Sequence, residues 1–125
     1  MTASPPAHDP DALHWVEACT VEALERRSLI GVFIGGEHLV VAQSDGAIHA
    51  AERKCPHESA DLAKGRCSGG RLMCPRHLAW FDLKTGNVPG WDVRSLRIFP
   101  TRVSDARVFV GLPGVPKAPR PPEPF

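Results

Sequence analysis

Two short motifs hold the residue types best suited to chemistry: Cys55-Pro56-His57 and Cys74-Pro75-Arg76-His77, together C-x-H-x16-C-x-x-H. Each supplies one thiol and one imidazole, two or three residues apart. Each also places a proline directly after its cysteine, where a fixed φ favours a loop over a continuing strand or helix. Two thiolates and two imidazoles that converge from facing loops form a metal-ligand set. The set alone does not choose the metal, because a lone structural zinc accepts the same four ligands. Their distribution separates the readings. Familiar two-Cys, two-His zinc modules group the cysteines in one knuckle and the histidines in another. Here each loop contributes one of each, which suits a 2Fe-2S cluster whose cysteines hold one iron while histidines replace cysteines on the other. A zinc-stabilised interaction domain therefore stands as an alternative to an electron carrier.

The other candidate ligands lack such spacing. Cys19 and Cys67 read as thiols without a metal role, Cys19 within a strand, and His8, His14, His38 and His49 read as core or surface side chains.

The elements that must position the two motifs are predominantly strands. Short runs rich in Val, Ile, Leu and Phe alternate with glycine-bearing turns, as antiparallel strands do. The runs predict strands at His14 to Cys19, Leu29 to Ile34, Leu39 to Gln43 and Ala47 to Ala51 before the motifs. After and between them come Leu72-Met73, Trp80 to Leu83, Leu96 to Arg102 and Arg107 to Val110. Gly35-Gly36 and Asp45-Gly46 supply the positive φ that tight two-residue hairpin turns require. Val21 to Arg27 alone has helical character, with Thr20 as its N-cap. A meander is the simplest topology, and the fold class is all-β, a small antiparallel sandwich or barrel.

With 125 residues, the chain suffices for one domain with its own core. The reading divides it into a loose lead-in over 1–12, a domain over 13–112 with its metal-binding loops at about 53–90, and a proline-rich tail over 113–125 suited to polyproline II. Fifteen basic against fourteen acidic residues create no global field to draw the chain onto nucleic acid or an anionic membrane. No run approaches the roughly 20 apolar residues that span a bilayer. Arg26-Arg27 before Leu29 to Ile34 imitates a twin-arginine export signal, but the apolar run is too short, contains Gly31 and lacks a small-residue cleavage site after it. A cytoplasmic location is the expectation, and it favours metal use of the thiols over disulfides.

Around the motifs, residues 55–89 read CPHESADLAKGRCSGGRLMCPRHLAWFDLKTGNVP. This resembles the Rieske ferredoxins of bacterial ring-hydroxylating oxygenase systems, whose pattern runs C-P-H, A-x-L-x-x-G, C-P-x-H, F-D-x-x-T-G and then a proline loop. Ala60, Leu62, Gly65, Phe81, Asp82, Thr85, Gly86 and Pro89 fall on it, and the likeness extends from His14 to Leu112. The resemblance implies the Rieske fold, with a cluster-binding subdomain of loops and short strands. It implies one 2Fe-2S cluster, with Cys55 and Cys74 on the inner iron, His57 and His77 on the solvent-facing iron, and Pro89 covering it from a third loop. It further implies an electron-transfer role rather than catalysis, with a flavin-containing ferredoxin reductase and a terminal oxygenase as partners. A small subunit of a larger reductase complex, similar to that of nitrite reductase, is an alternative that the intact ligand set disfavours.

The chain departs from the pattern at Glu58-Ser59, where Arg-Gly is commoner, and at Leu78, where Gly is usual. Leu78 is a candidate for an apolar contact patch at the cluster tip. Respiratory and photosynthetic Rieske proteins bridge the two loops by a disulfide, at positions that here hold Ala60 and Arg76. They also place hydroxyl side chains where this chain has Ala79 and Phe81. Without those donors the reduced cluster is less stabilised, and a potential near the roughly −150 mV lower end of the Rieske range is expected. Ligand imidazoles should also make reduction harder at alkaline pH. Arg53, Lys54, Lys64, Arg66, Arg71 and Arg76 against Glu58 and Asp61 make the motif region locally basic.

Overall fold

The computed structural model describes residues 13–56, 60–76, 79–90 and 93–113. The lead-in and nearly all of the proline-rich tail lie outside the described residues. Ten strands, one helix and one 3-10 turn form three antiparallel sheets among the described residues.

The first sheet orders β1 (Leu13–Thr20), β10 (Arg107–Pro113) and β9 (Thr101–Ser104), in that sequence. The second orders β2 (Leu29–Ile34), β3 (Glu37–Ser44), β4 (Ala47–Glu52) and β8 (Ile98–Phe99). The third orders β5 (Arg66–Ser68), β6 (Arg71–Met73) and β7 (Trp80–Asp82). The expected meander therefore holds only within β2-β3-β4 and β5-β6-β7. Across the whole chain it fails, because β1 pairs with β10 rather than with β2.

The single strand expected over Leu96 to Arg102 is two strands in different sheets. β8 pairs with β4, β9 pairs with β10, and Pro100 stands between them. Proline has no N–H to continue the ladder, and its carbonyl instead accepts the Gly111 N–H at 2.9 Å. The chain changes sheets there.

Strand β3 explains how one sheet serves two cores. Leu39 and Val41 pack into one apolar cluster with Leu24, Ala50, Phe99, Val108, Val110 and Leu112. Val40 and Ala42 point the other way, into a cluster with Ala51, Leu62, Leu72, Phe81, Leu83 and Leu96. Successive strand residues face opposite sides. A strand covered on both sides reads as a continuous apolar run, as LVVA does here. The middle sheet is thus the common wall of a β-sandwich core and of a second core beneath the two motifs.

The helix α1 (Val21–Arg27) starts where expected, with the Thr20 hydroxyl accepting the Ala23 N–H at 3.1 Å. Arg26 and Arg27 occupy its last turn, where basic side chains complement the helix dipole, and the apolar run after them is β2. The hairpin turns behave as the sequence required, with φ of 56° and 79° at Gly35-Gly36 and 54° and 75° at Asp45-Gly46. The Gly69-Gly70 pair, φ 60° and 76°, makes the same turn between β5 and β6. The sequence reading missed β5, although Gly69-Gly70 marked a hairpin there.

Candidate metal centre

Both motifs sit on hairpin loops of the same construction. In the first, Lys54 pairs with Asp61 in an antiparallel bridge, and the Cys55 N–H donates to the Ala60 carbonyl at 2.9 Å. In the second, Met73 pairs with Trp80 across β6 and β7, and the Cys74 N–H donates to the Ala79 carbonyl at 2.8 Å. Each cysteine thus closes its loop onto the alanine five residues on. Cys55 is 1% exposed and Cys74 is wholly buried, both within the second core, and neither is in a disulfide. His57 and His77 lie outside the described residues, as do Glu58, Ser59 and Leu78. The structure therefore places two of the four expected ligands and leaves the contact patch expected at Leu78 without a test.

Two side chains brace the first loop. Arg53 donates from Nε and one Nη to the two carboxylate oxygens of Asp61 at 2.8 and 3.0 Å. Asp61 also accepts the Ala63 N–H at 3.0 Å, capping the 3-10 turn Leu62–Lys64. The Arg53 hydrogen bond holds the Asp61 carboxyl below the usual carboxylate range, helped by the Ala63 N–H. Gly31, in the middle of β2, leaves the space the guanidinium fills: a Cβ there would stand 2.7 Å from it. The basic face expected from sequence is accordingly smaller, since Arg53 is engaged by Asp61. Lys54, Lys64, Arg66, Arg71 and Arg76 are exposed.

The first and second loops meet at Gly65, where a Cβ would come within 1.9 Å of the Met73 carbonyl oxygen. A third loop follows β7. Asp82 opens it as a turn, its carboxylate accepting the Lys84 and Thr85 N–H groups at 2.7 and 3.2 Å. Those backbone bonds, that to Lys84 foremost, hold its carboxyl low. Gly86 then lies against Leu96, whose N–H donates to the Gly86 carbonyl at 2.8 Å. Val88 is buried and Pro89 exposed on this loop. Sequence reasoning missed its anchor: Glu52, at the end of β4, accepts two bonds from Arg94 at 2.6 and 2.8 Å and the Arg97 N–H at 2.8 Å. No motif signals such a pair, because its members are 42 residues apart.

Cys19 and Cys67 are half-buried, and burial pushes both thiols up. Cys67 Sγ lies 3.5 Å from the Ser28 and Gln43 carbonyls, in the seam between β5 and the middle sheet. Burial favours the thiol over the thiolate at both positions.

Buried thiols on paired loops, each closed by a buried alanine, fit a cluster that needs two inner thiolates in a dry setting. Comparison with known proteins decides the family, for residues 14–100 match the Rieske [2Fe-2S] domain. The chain belongs to the Rieske 2Fe-2S family. Its cofactor is one Rieske-type 2Fe-2S cluster, and the zinc alternative is set aside. The chain is 30% identical over 119 residues to the ferredoxin component of the alkene monooxygenase system of Xanthobacter autotrophicus, covering 94% of this chain and 97% of that one. It is 37% identical over 112 residues to human apoptosis-inducing factor 3, covering 86% of this chain but only 18% of that protein's length. Among solved structures it resembles a chain in the complex of reduced oxygenase and oxidized ferredoxin in carbazole 1,9a-dioxygenase. There the TM-score is 0.69 at 25% identity, with 84% of this chain and 97% of that one covered. The all-β Rieske fold expected from the sequence is the one observed. No helix among the described residues is long and apolar enough to cross a membrane.

Proposed function

We propose that this chain is a Rieske ferredoxin, a cytoplasmic carrier of single electrons from a flavin-containing ferredoxin reductase to a terminal oxygenase. The unit over 13–112 is its cluster domain, and it carries no catalytic residues of its own. Cys55 and Cys74 would hold the cluster through thiolates, and His57 and His77 through imidazoles. When bound, the cluster supplies a one-electron couple.

The observation that carries this reading is the pair of matched loops, each presenting a buried cysteine on a backbone closed by the same hydrogen bond. The chain's residues do the rest. The loop closures pre-position both sulfurs, so little rearrangement accompanies a change of charge. Burial of Cys55 and Cys74 keeps water from the inner sulfurs. The Arg53–Asp61 pair braces the first loop, and Pro89 would cover the cluster from the third. The ferredoxin relatives of oxygenase systems, matched over nearly their whole length, support the choice of a terminal oxygenase as partner.

Low-temperature electron paramagnetic resonance of the dithionite-reduced protein, with iron and acid-labile sulfide assayed on the same sample, tests the proposal. The expected result is a rhombic signal with two irons and two sulfides per chain, as the 2Fe-2S stoichiometry requires. A silent protein with one bound zinc would refute it. Reduction of the loaded protein by a flavoprotein reductase, followed by reoxidation only when a terminal oxygenase is added, tests the partners.

A further inference from the structure

The small sheet β5-β6-β7 buries one face and turns the other outward. Cys67, Leu72 and Phe81 are aligned across its three strands and pack into the second core. Successive strand residues point to opposite sides, so Arg66, Ser68, Arg71, Met73, Trp80 and Asp82 share the outer face. The register sorts them into two rows. Arg66, Met73 and Trp80 form the row at the base of the second motif loop, for Met73 precedes Cys74 and Trp80 follows Ala79. Ser68, Arg71 and Asp82 form the row beside the Gly69-Gly70 turn. A hollow of about 270 Å³ opens on this face, lined by Ser68, Gly69, Arg71 and Trp80.

Charge on the face is one-sided. Arg66 and Arg71 are exposed, while Met73 and Trp80 are half-buried between the two rows of polar groups. Asp82 stands opposite Arg71 in register, but its carboxylate accepts the Lys84 and Thr85 N–H groups at 2.7 and 3.2 Å. Neither Arg66 nor Arg71 is in an ion pair among the described residues. Lys64, just before β5, and Lys84, just after β7, add exposed cations at the borders. An indole and a thioether flanked by guanidinium groups have the make-up of an interface centre, where Trp, Met and Arg are enriched. Such a surface complements carboxylates set around an apolar patch.

We propose that the outer face of the β5-β6-β7 sheet, with Met73 and Trp80 at its centre and Arg66 and Arg71 at its sides, docks an acidic surface of the terminal oxygenase. This deepens the ferredoxin reading and rests on it. A partner seated there lies against the flank of the loop that carries Cys74, and the two arginines steer its approach.

The test is stopped-flow reoxidation of the reduced, cluster-loaded protein by the oxygenase that accepts its electrons, followed against ionic strength. Wild type is compared with Arg66→Gln/Arg71→Gln and with a control, Arg26→Gln/Arg27→Gln, which removes the same number of charges from the last turn of α1. The face variant should react about fivefold more slowly near about 20 mM salt, and the gap should close above about 0.5 M, because steered association is screened. The control should match wild type, with iron and sulfide equal in all three. Equal rates for the face variant and wild type at low salt would overturn the inference, as would the same slowing in the control, which would assign the effect to net charge rather than to this face. A wild-type chain that no oxygenase reoxidised would overturn the ferredoxin reading first and this one with it.

Discussion

Arg53 and Asp61 grip each other through two parallel bonds of 2.8 and 3.0 Å across the neck of the first loop, with Cys55 between them in sequence. Both are largely buried, at 25% and 14% exposure. The pair joins the end of the sandwich to the start of the 3-10 turn, so the cluster loop inherits its position from the main core.

Replacing Asp61 by Asn should cost about 1–3 kcal/mol at neutral pH, because a largely buried guanidinium loses its charged partner. The sign with pH follows from the depressed Asp61 carboxyl. A lowered folded value means stability that is present above the unfolded value of about 3.9 and is lost as pH falls through the folded one. The gap in melting temperature between wild type and Asp61→Asn should be full at pH 7 and narrow as pH approaches 3. A gap that widened in acid would contradict the ion pair.

Gly65 and Gly86 should resist substitution by alanine, for different reasons. A Cβ on Gly65 would stand 1.9 Å from the Met73 carbonyl oxygen, and backbone cannot move aside cheaply. A Cβ on Gly86 would meet the Leu96 carbonyl oxygen at 2.0 Å, and its φ of 83° adds strain. Each variant should lose more than about 2 kcal/mol by denaturant unfolding. Gly69→Asn, at a positive φ with open space around it, should lose under about 1 kcal/mol.

The four cysteines should divide sharply when each is changed to serine. Cys55→Ser and Cys74→Ser should lose most of their iron and sulfide and the visible colour that accompanies them. Cys19→Ser and Cys67→Ser should keep both, since those thiols are raised by burial and lie in strands rather than in the two motif loops. Full iron in Cys74→Ser, or loss in Cys67→Ser, would require a different ligand set.

Hydroxyl groups introduced beneath the cluster should raise its potential. Ala79 and Phe81 are buried in the same core as Cys55 and Cys74 and offer no donor. Wild type should sit near about −150 mV, and Ala79→Ser and Phe81→Tyr should each move it upward, because a donor aimed at sulfur stabilises the reduced state. Square-wave voltammetry of the three loaded proteins would decide this, and a downward shift in both variants would reverse the argument.

The sequence by itself determined the parts governed by local chemistry. Cys-Pro-His and Cys-Pro-Arg-His announced the candidate ligands because few residue types bind metal and their spacing is short. Thr20 announced a helix start, and Gly-Gly and Asp-Gly announced hairpins, because capping and positive φ are properties of one or two residues. Only the tertiary structure decided the rest. That β1 pairs with β10, that Pro100 passes the chain from one sheet to another, and that β3 feeds two cores are outcomes of long-range pairing, which no neighbouring residue encodes. The same holds for Glu52 and Arg94. Each reads alone as an ordinary surface charge, and the third loop has its anchor because β4 and the segment before β8 are brought side by side, letting one carboxylate satisfy a guanidinium and a backbone N–H together.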